Sequence, residues 1–270
     1  MKFTVGFQTQ PLDPMQSMPR QPVTRSNHPC PCLVAVRFPH RNLTCTYFND
    51  RFELHTGDRV YVEGKLEGHM GQVTHVDYNF KIKLSQYKKV IGMVETRVKG
   101  SFIAVGNHLL TRDAQTHPYE QARTWFLPPD TDEEPYVSYS DGEHFPLQDL
   151  TQCNVDPEVA QEGHEIYMED QVVYWEVDHT KGRAIVNTLQ PYEIEFTYQD
   201  GQISNLTCGC YHAGVCMHRV AAILQLRESL SLLEQNKPEW LNEEYLAAVE
   251  KDAFVEFAMH NQHPVNVTLE

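Results

Sequence analysis

A chain of 270 residues with a net charge of −15 is long enough to bury a sizeable core without disulfide cross-links, and its length predicts about two domains. Hydrophobic residues make up 41% of it and charged residues 22%, as in ordinary globular proteins. Because no run of about 18 apolar residues is present, we expect no membrane span and no membrane partner. The first residues lack the apolar core of a signal peptide, so we expect a cytoplasmic protein.

The charge is distributed unevenly along the chain. Residues 33–112 contain 12 Lys and Arg against 7 Asp and Glu, whereas residues 113–270 contain 7 against 29. Because phosphate groups are repelled by a strongly acidic surface, any long-range attraction to nucleic acid has to come from the first of these segments. The alternative is that both surfaces are simply solvated.

Residues 1–29 are rich in Gln, Pro, Met and Ser and predict a poorly ordered leader. Residues 30–112 contain short β-rich runs separated by glycines, which favours a small antiparallel β-barrel. The stretch GDRVYVEGKLEGHMGQVTHVD is similar to the core of KOW-type and other SH3-like barrels. The longer piece that begins at LVAVRF also resembles the C-terminal domain of bacterial PSP1-type proteins. We therefore expect an α+β protein whose N-terminal domain is such a barrel.

Residues 113–170 are predicted to be an acidic, proline-containing connector. Within them, residues 128–170 hold 13 acidic side chains, five prolines and no Lys or Arg, a composition that cannot easily bury a core. The motif HEIYMED, which begins at His164, lacks the second histidine of a zinc-protease helix, so we interpret it as a solvated acidic run.

Residues 171–270 predict a C-terminal domain made of a β-hairpin, a cysteine-rich finger and helices. The run YEIEFTY alternates apolar and polar positions, and the Asp200-Gly201 pair after it is a hairpin turn signal. The returning strand leads to Cys208. Further on, KPEWLNEEYLAAVEKDAFVEFAMH predicts a helix that begins near Pro238.

Three of the seven cysteines lie in the stretch LTCGCYHAGVCMHRV, together with a histidine. An odd number of cysteines in a reducing compartment favours metal ligands and free thiols over disulfides. Cys208, Cys210, Cys216 and His218 offer three thiolates and one imidazole, which satisfy the tetrahedral coordination of Zn²⁺. We expect His218 in the first turn of a helix and Arg219 placed to offset the negative charge of the site. For His212, in the same loop, the alternatives are a surface position and a competing ligand.

This pattern, Cys-x-Cys followed by Cys-x-His, resembles the SWIM zinc finger over roughly residues 171–230. The resemblance implies that these four residues are the zinc ligands. It also implies binding to DNA or to other proteins, since SWIM fingers occur in Mutator-like transposases, chromatin-remodelling-type ATPases and small bacterial proteins. Four protein ligands leave no open coordination position, which predicts a structural rather than a catalytic ion.

Two other groups of residues are candidate sites. The Cys-x-Cys spacing recurs at Cys30 and Cys32, two residues after His28, but no Cys-x-His follows it. We expect two buried thiols there, and a second metal site is the alternative. A basic patch is a candidate nucleic-acid surface, with aromatic residues interleaved as stacking groups or as core. It comprises Lys81, Lys83, Lys88 and Lys89.

The function that the sequence favours is a zinc-binding interaction module whose partner is nucleic acid or protein, with no small-molecule substrate. The sequence contains no phosphate-binding glycine loop, nucleophile elbow or supported pair of acids, so we expect no enzyme. The alternatives are an enzyme whose site forms only in the fold and a scaffold subunit. A wide apolar patch on the Phe254–Met259 face would favour the scaffold.

Overall fold

The computed structural model describes residues 30–80, 86–130, 137–139, 144–153, 155–212, 214–259 and 266–269. The predicted leader, residues 1–29, lies outside them. The chain divides into two compact units, Met1–Met93 and Val94–Glu270. None of the helices in the described ranges combines the length and the apolar character that crossing a bilayer requires.

The N-terminal unit contains one antiparallel sheet, in the strand order β2-β1-β4-β3-β5. Its strands are β1 (Cys32–Phe38), β2 (Leu43–Asn49), β3 (Arg59–Val62), β4 (Met70–Asp77) and β5 (Val90–Met93). Alternate residues such as Val34, Val36 and Val60 form its core. The prediction of a small antiparallel β-domain is therefore confirmed.

The N-terminal sheet is not a closed barrel. Within the described residues its edge strands β2 and β5 are joined only where Phe48 and Lys89 form a single bridge, next to a 2.9 Å hydrogen bond from the Phe48 amide to the Lys88 carbonyl. Strand β5 begins after this point, so the pairing does not continue along β2. Closure needs a continuous ladder between the edges, and one bridge does not supply it.

The C-terminal unit is built on a larger sheet, in the order β15-β6-β7-β14-β10-β11-β12-β13-β8, with β9 also paired to β13. All of its pairs are antiparallel except β15 with β6. The strands are β6 (Lys99–Val105), β7 (His108–Thr111), β8 (Ser138–Tyr139), β9 (His144–Pro146), β10 (Val172–Asp178), β11 (Lys181–Asn187), β12 (Pro191–Gln199), β13 (Gln202–Cys208), β14 (Tyr245–Glu250) and β15 (Asn266–Leu269).

Helices cover both faces of this sheet. They are α1 (Tyr119–Phe126), α2 (Pro157–Met168), α3 (Met217–Asn236) and the single turn α4 (Lys251–Phe254), which continues as a π-helix over Val255–Met259. On β10, Trp175 packs in the core beneath α3, whereas Tyr174 points to the α1 side and donates a 2.9 Å hydrogen bond to the His117 carbonyl. This division follows from the two-residue period of a strand.

The side of the sheet that faces α1 contains a buried acid, Glu176, which is 1% exposed. Its carboxylate accepts hydrogen bonds from Arg183 Nε at 2.8 Å and Tyr245 Oη at 3.1 Å, and it lies 3.0 Å from Tyr174 Oη, whose single proton it shares with the His117 carbonyl. A buried carboxylate is tolerated when it is paired and hydrogen-bonded in this way. The Glu176 cluster therefore joins three neighbouring strands beneath α1.

The predicted acidic connector, residues 113–170, differs from the structure. It contains α1, β8, β9 and α2, and the unit to which they belong begins at Val94 rather than after residue 112. Two apolar side chains of its most acidic part, Phe145 and Leu147, are buried in the core at 1% and 2% exposure. The stretch folds because these anchors use the large sheet as a partner, so it needs no core of its own.

The prediction of a helix from Pro238 onward is wrong. That segment forms a 3-10 turn over Pro238–Asn242, then strand β14, and only then α4. Strand β14 lies between β7 and β10 and is buried on both faces, with Ala247 and Ala248 each 1% exposed. A strand buried on both faces shows a continuous apolar run instead of alternation, and such a run also matches a helical pattern.

Helix α2 packs closely against α3 at Gly163. A Cβ atom added there would lie 2.5 Å from Val220 Cβ and 2.8 Å from the Met217 carbonyl oxygen. The glycine lets the two helix backbones approach each other beside the cysteine-rich loop.

We expect the Gly163→Ala substitution to destabilise the C-terminal unit by about 1–3 kcal/mol, because the added methyl group overlaps backbone and a β-branched side chain. Helix propensity alone has the opposite sign and favours alanine by about 1 kcal/mol. Urea unfolding of the variant measures the difference, with Glu162→Ala on the exposed side of α2 as control. A variant as stable as the wild type would show that the helices are not in this contact.

Candidate metal centre

The β12–β13 hairpin positions the first cysteine. Its turn residues Asp200 and Gly201 have positive φ angles of 51° and 75°, as a tight hairpin turn requires. Strand β13 ends at Cys208, and the next amide, of Gly209, still donates a 3.2 Å hydrogen bond to the Glu193 carbonyl. The predicted hairpin, with its end at the cysteines, is confirmed.

Helix α3 positions the other half of the cluster. Cys216 is its N-cap residue, and His218 lies in its first turn, as predicted. The chain returns from Cys210 to Cys216 through Gly214, whose φ of 74° lies in the left-handed region that favours glycine. The end of a strand and the start of a helix are thereby brought together over eleven residues of sequence.

The four predicted ligand residues converge. Their ligand atoms all lie within 4.8 Å of one another, and all four residues are buried. The sulfur atoms of Cys208 and Cys216 are each 3.9 Å from Nδ1 of His218. In a tetrahedral zinc site a sulfur and a nitrogen ligand are separated by about 3.6 Å, which follows from bond lengths of about 2.3 and 2.1 Å. The cluster therefore has the ligand set and nearly the spacing of a site that can hold a metal ion.

Backbone amides support negative charge on the sulfur atoms. The sulfur of Cys208 accepts a hydrogen bond from the amide of Cys210, and the sulfur of Cys210 accepts one from the amide of His212. The sulfur of Cys216 accepts one from the amide of Arg219. Each such contact favours a thiolate over a thiol. The amide hydrogen bonds stabilise the thiolate form of the three buried sulfurs, which is the form that ligates a cation.

The thiol groups are strongly coupled to one another. Hydrogen bonding between Cys208 and Cys216 raises the pKa of Cys208 and lowers the pKa of Cys216 to about 3, and burial raises the pKa of Cys210. Without a cation, one thiolate is thus stabilised at the cost of the other sulfurs. A bound metal ion stabilises all three thiolates together.

The imidazole ring of His218 is held in place by Tyr192. The two rings are stacked, with centroids 4.0 Å apart and an interplanar angle of 28°. The hydroxyl of Tyr192 in turn accepts a 2.8 Å hydrogen bond from Gln190 Nε2. This stacking fixes the ring plane, so that Nδ1 faces the sulfurs. The alternation of β12 predicts the face on which Tyr192 lies, but no spacing in the sequence links it to His218.

Arg219 connects the cluster to strand β8. Its fully buried guanidinium donates from Nη1 to the Gly214 carbonyl and from Nη2 to the carbonyl and, at 2.8 Å, the hydroxyl of Ser138. The Ser138 hydroxyl donates a 3.0 Å hydrogen bond to the Cys208 carbonyl. The sequence predicts only a charge-balancing role for Arg219, and nothing in it indicates Ser138, which is 81 residues away.

The other cysteine and histidine candidates lie apart from this cluster. His212 is exposed and contributes its amide rather than its ring. In the N-terminal unit Cys30 is exposed, which differs from the expected burial, whereas Cys32 is buried and accepts a 3.4 Å hydrogen bond from Asn49. His28 is outside the described residues, and within them the cluster at residues 208–218 is the one group of metal-ligating side chains.

The predicted basic patch is only partly described. Lys81 and Lys83 lie outside the described residues. The ammonium group of Lys89 lies 2.8 Å from Asp50 and 5.8 Å from the ring centroid of Phe48, so its charge is already paired. The side chain of Lys88 is exposed. The two described lysines therefore present one exposed cation and one ion pair.

No family model, curated protein or solved structure matches this chain.

We expect the purified chain to contain about one divalent metal ion, and His218→Ala to lose it, because three sulfurs alone leave the coordination shell incomplete. The matched control is His212→Ala, which removes an exposed ring from the same loop and is expected to retain the metal. Metal content is measured by plasma mass spectrometry. Equal metal content in the two variants would exclude His218 as a ligand.

Proposed function

We propose that Cys208, Cys210, Cys216 and His218 bind a structural Zn²⁺ ion, and that the C-terminal unit is a zinc-stabilised interaction module. The observation that carries this proposal is the convergence of their four buried ligand atoms within 4.8 Å. Three thiolates and one imidazole are a common ligand set of structural zinc, whereas harder cations prefer oxygen. The resemblance of the pattern to SWIM fingers supports the same function, and the need for reduced thiols supports a cytoplasmic location.

A structural role follows from how the site is closed. A catalytic zinc keeps one position for water or substrate, whereas here four side chains complete the tetrahedron. The residues are also poorly accessible, with Cys210 and His218 each 6% exposed. We therefore propose that the ion stabilises the fold and that this site is not an enzyme's active site. The energy of binding a structural zinc ion, about 10–16 kcal/mol, equals or exceeds the stability of a whole domain.

Removal of the metal is expected to unfold the C-terminal unit. All three tryptophans, Trp125, Trp175 and Trp240, are buried in this unit, so tryptophan emission reports on it alone. We expect a strong chelator to shift the emission to longer wavelength, and added Zn²⁺ to restore it. A metal-free chain with unchanged emission would contradict the structural role.

The surface around the zinc site favours a protein partner over nucleic acid. Leu189, in the turn between β11 and β12, is 105% exposed, and Tyr211, in the loop between Cys210 and Cys216, is 83% exposed. Residues 113–270, which include this end of the sheet, carry 29 acidic against 7 basic residues. Apolar side chains on an acidic surface suit a protein and repel phosphate. We propose that a protein docks at the end of the sheet that the zinc ion orders.

Nucleic-acid binding tests this choice of partner. We expect fluorescence anisotropy to detect no salt-dependent binding of DNA or RNA when the salt concentration is raised from about 50 to about 200 mM. The reason is that the acidic unit cannot neutralise phosphates. Salt-dependent binding that is lost in Lys88→Glu would assign the partner as nucleic acid, bound through the N-terminal unit. The exposed side chain of Lys88 makes this substitution a surface change.

The scaffold alternative receives less support. Phe254 and Phe257, which were expected to contribute to a wide apolar patch, are only 3% and 7% exposed, and Phe257 stacks on Trp125 with centroids 5.1 Å apart. Met259 and Val255 are the more exposed members of that segment, at 59% and 38%.

A further inference from the structure

A cavity of about 180 Å³ lies beside the cysteine-rich loop, between α2, the first half of α3 and the sheet. Its walls are mainly apolar and include Phe145 from β9, Leu206 from β13 and Ile223 from α3. The cavity reaches the surface at α2, where His164 borders it and is exposed to solvent. It is therefore an apolar pocket that a ligand can enter from outside the protein.

The interior of the pocket offers little to a polar ligand. Arg219 borders it, but the guanidinium is buried and donates to Gly214 and Ser138, so it is not available to an occupant. A polar or charged group that entered would lose its hydration without gaining hydrogen bonds in return. The part of a ligand that fills the pocket is therefore apolar.

The volume of the pocket indicates the size of that apolar part. An apolar cavity of about 150 Å³ is large enough to bind benzene. At about 180 Å³ this pocket has room for roughly one more carbon atom, which is the size of the phenylalanine side chain. A leucine side chain would leave part of the space empty and forfeit contacts with the walls. A tryptophan indole is larger than the space, and its N–H needs an acceptor.

The helix that borders the opening of the pocket is strongly acidic. Helix α2 and its N-cap carry four exposed carboxylates and no Lys or Arg. They are Asp156, Glu158, Glu162 and Glu165. Residues 128–170 as a whole contain no basic residue, so the negative charge is not neutralised by neighbours in sequence. Such a surface attracts positively charged partners and repels negatively charged ones.

We propose that this pocket is an anchor site for a protein partner: it takes the phenylalanine side chain of a basic segment, whose Lys or Arg residues lie along the carboxylates of α2. One aromatic side chain in a pocket, surrounded by charged contacts, is a common arrangement of the residues that dominate binding energy. The inference rests on the proposed function, a protein-binding module, and names the chemistry of the segment that binds. Val215, in the cysteine-rich loop, also borders the pocket, so the anchor docks beside the metal centre.

Three acetylated and amidated pentapeptides test the proposal on the full chain, with its zinc content measured in the same sample. They are Lys-Lys-Phe-Lys-Lys, Lys-Lys-Ala-Lys-Lys, which lacks the anchor, and Glu-Glu-Phe-Glu-Glu, which reverses the charge. Binding is measured from the chemical shifts of methyl groups at Val215, Val220 and Ile223, which border the pocket. We expect the basic Phe peptide to bind at least about tenfold more tightly than the Ala peptide, because it buries an aromatic ring. We also expect it to bind more tightly than the acidic peptide, by a factor that shrinks as salt is added.

Two variants of α2 locate the binding. Ala160 borders the pocket, so Ala160→Phe is expected to fill it and abolish the preference for the Phe peptide over the Ala peptide. Gln161→Phe adds the same ring at the neighbouring exposed position and is expected to keep that preference. A measurement on the wild type does not depend on how the variants fold: benzene is expected to compete with the Phe peptide for the pocket.

Equal affinity for the Phe and Ala peptides, tightest binding of the acidic peptide, or a Phe preference that survives Ala160→Phe would each overturn the proposal. Binding of benzene without binding of any peptide would overturn it as well and would assign the pocket to small hydrocarbons. Any of these results in a chain that retains its zinc concerns the anchor pocket alone. A folded, zinc-free chain that still binds the Phe peptide would instead contradict the structural role of the ion and support the pocket.

Discussion

Like-charged sulfur atoms repel one another in a buried position unless a cation lies between them, and the whole cysteine-rich end of the large sheet depends on this constraint. The strand that ends at Cys208 and the helix that begins after Cys216 are joined by the short ligand loop, and they share the core in which Leu206 and Ile223 are buried. Arg219 extends the same constraint to β8 through Ser138. A single metal ion at this cluster would therefore act on two strands and a helix at once.

The parts that could be predicted from the sequence are those that short-range patterns determine. The turn at Asp200-Gly201 and the convergence of four ligands within eleven residues depend on neighbours in sequence.

The large sheet depends instead on partners that are distant in sequence. Strand β14 is flanked by β7 and β10, so its apolar run carries no alternation to distinguish it from a helix. The acidic stretch contains too few apolar residues to form a core of its own. Phe145 and Leu147 are instead buried in the core of the large sheet, which the composition of the stretch does not indicate. The single bridge at Phe48 likewise reflects the length of β5, which residue types do not determine.

The central place of β14 has a consequence for how the chain folds during synthesis. Residues 108–111 and 172–178 do not pair with each other directly, because residues 245–250 lie between them in the sheet. A nascent chain that has not yet released these late residues from the ribosome holds two separate sheet fragments with uncovered edges. Such edges are prone to pair with other chains. The ligand residues 208–218 leave the ribosome before β14, so a metal ion would be able to bind them before the sheet is complete.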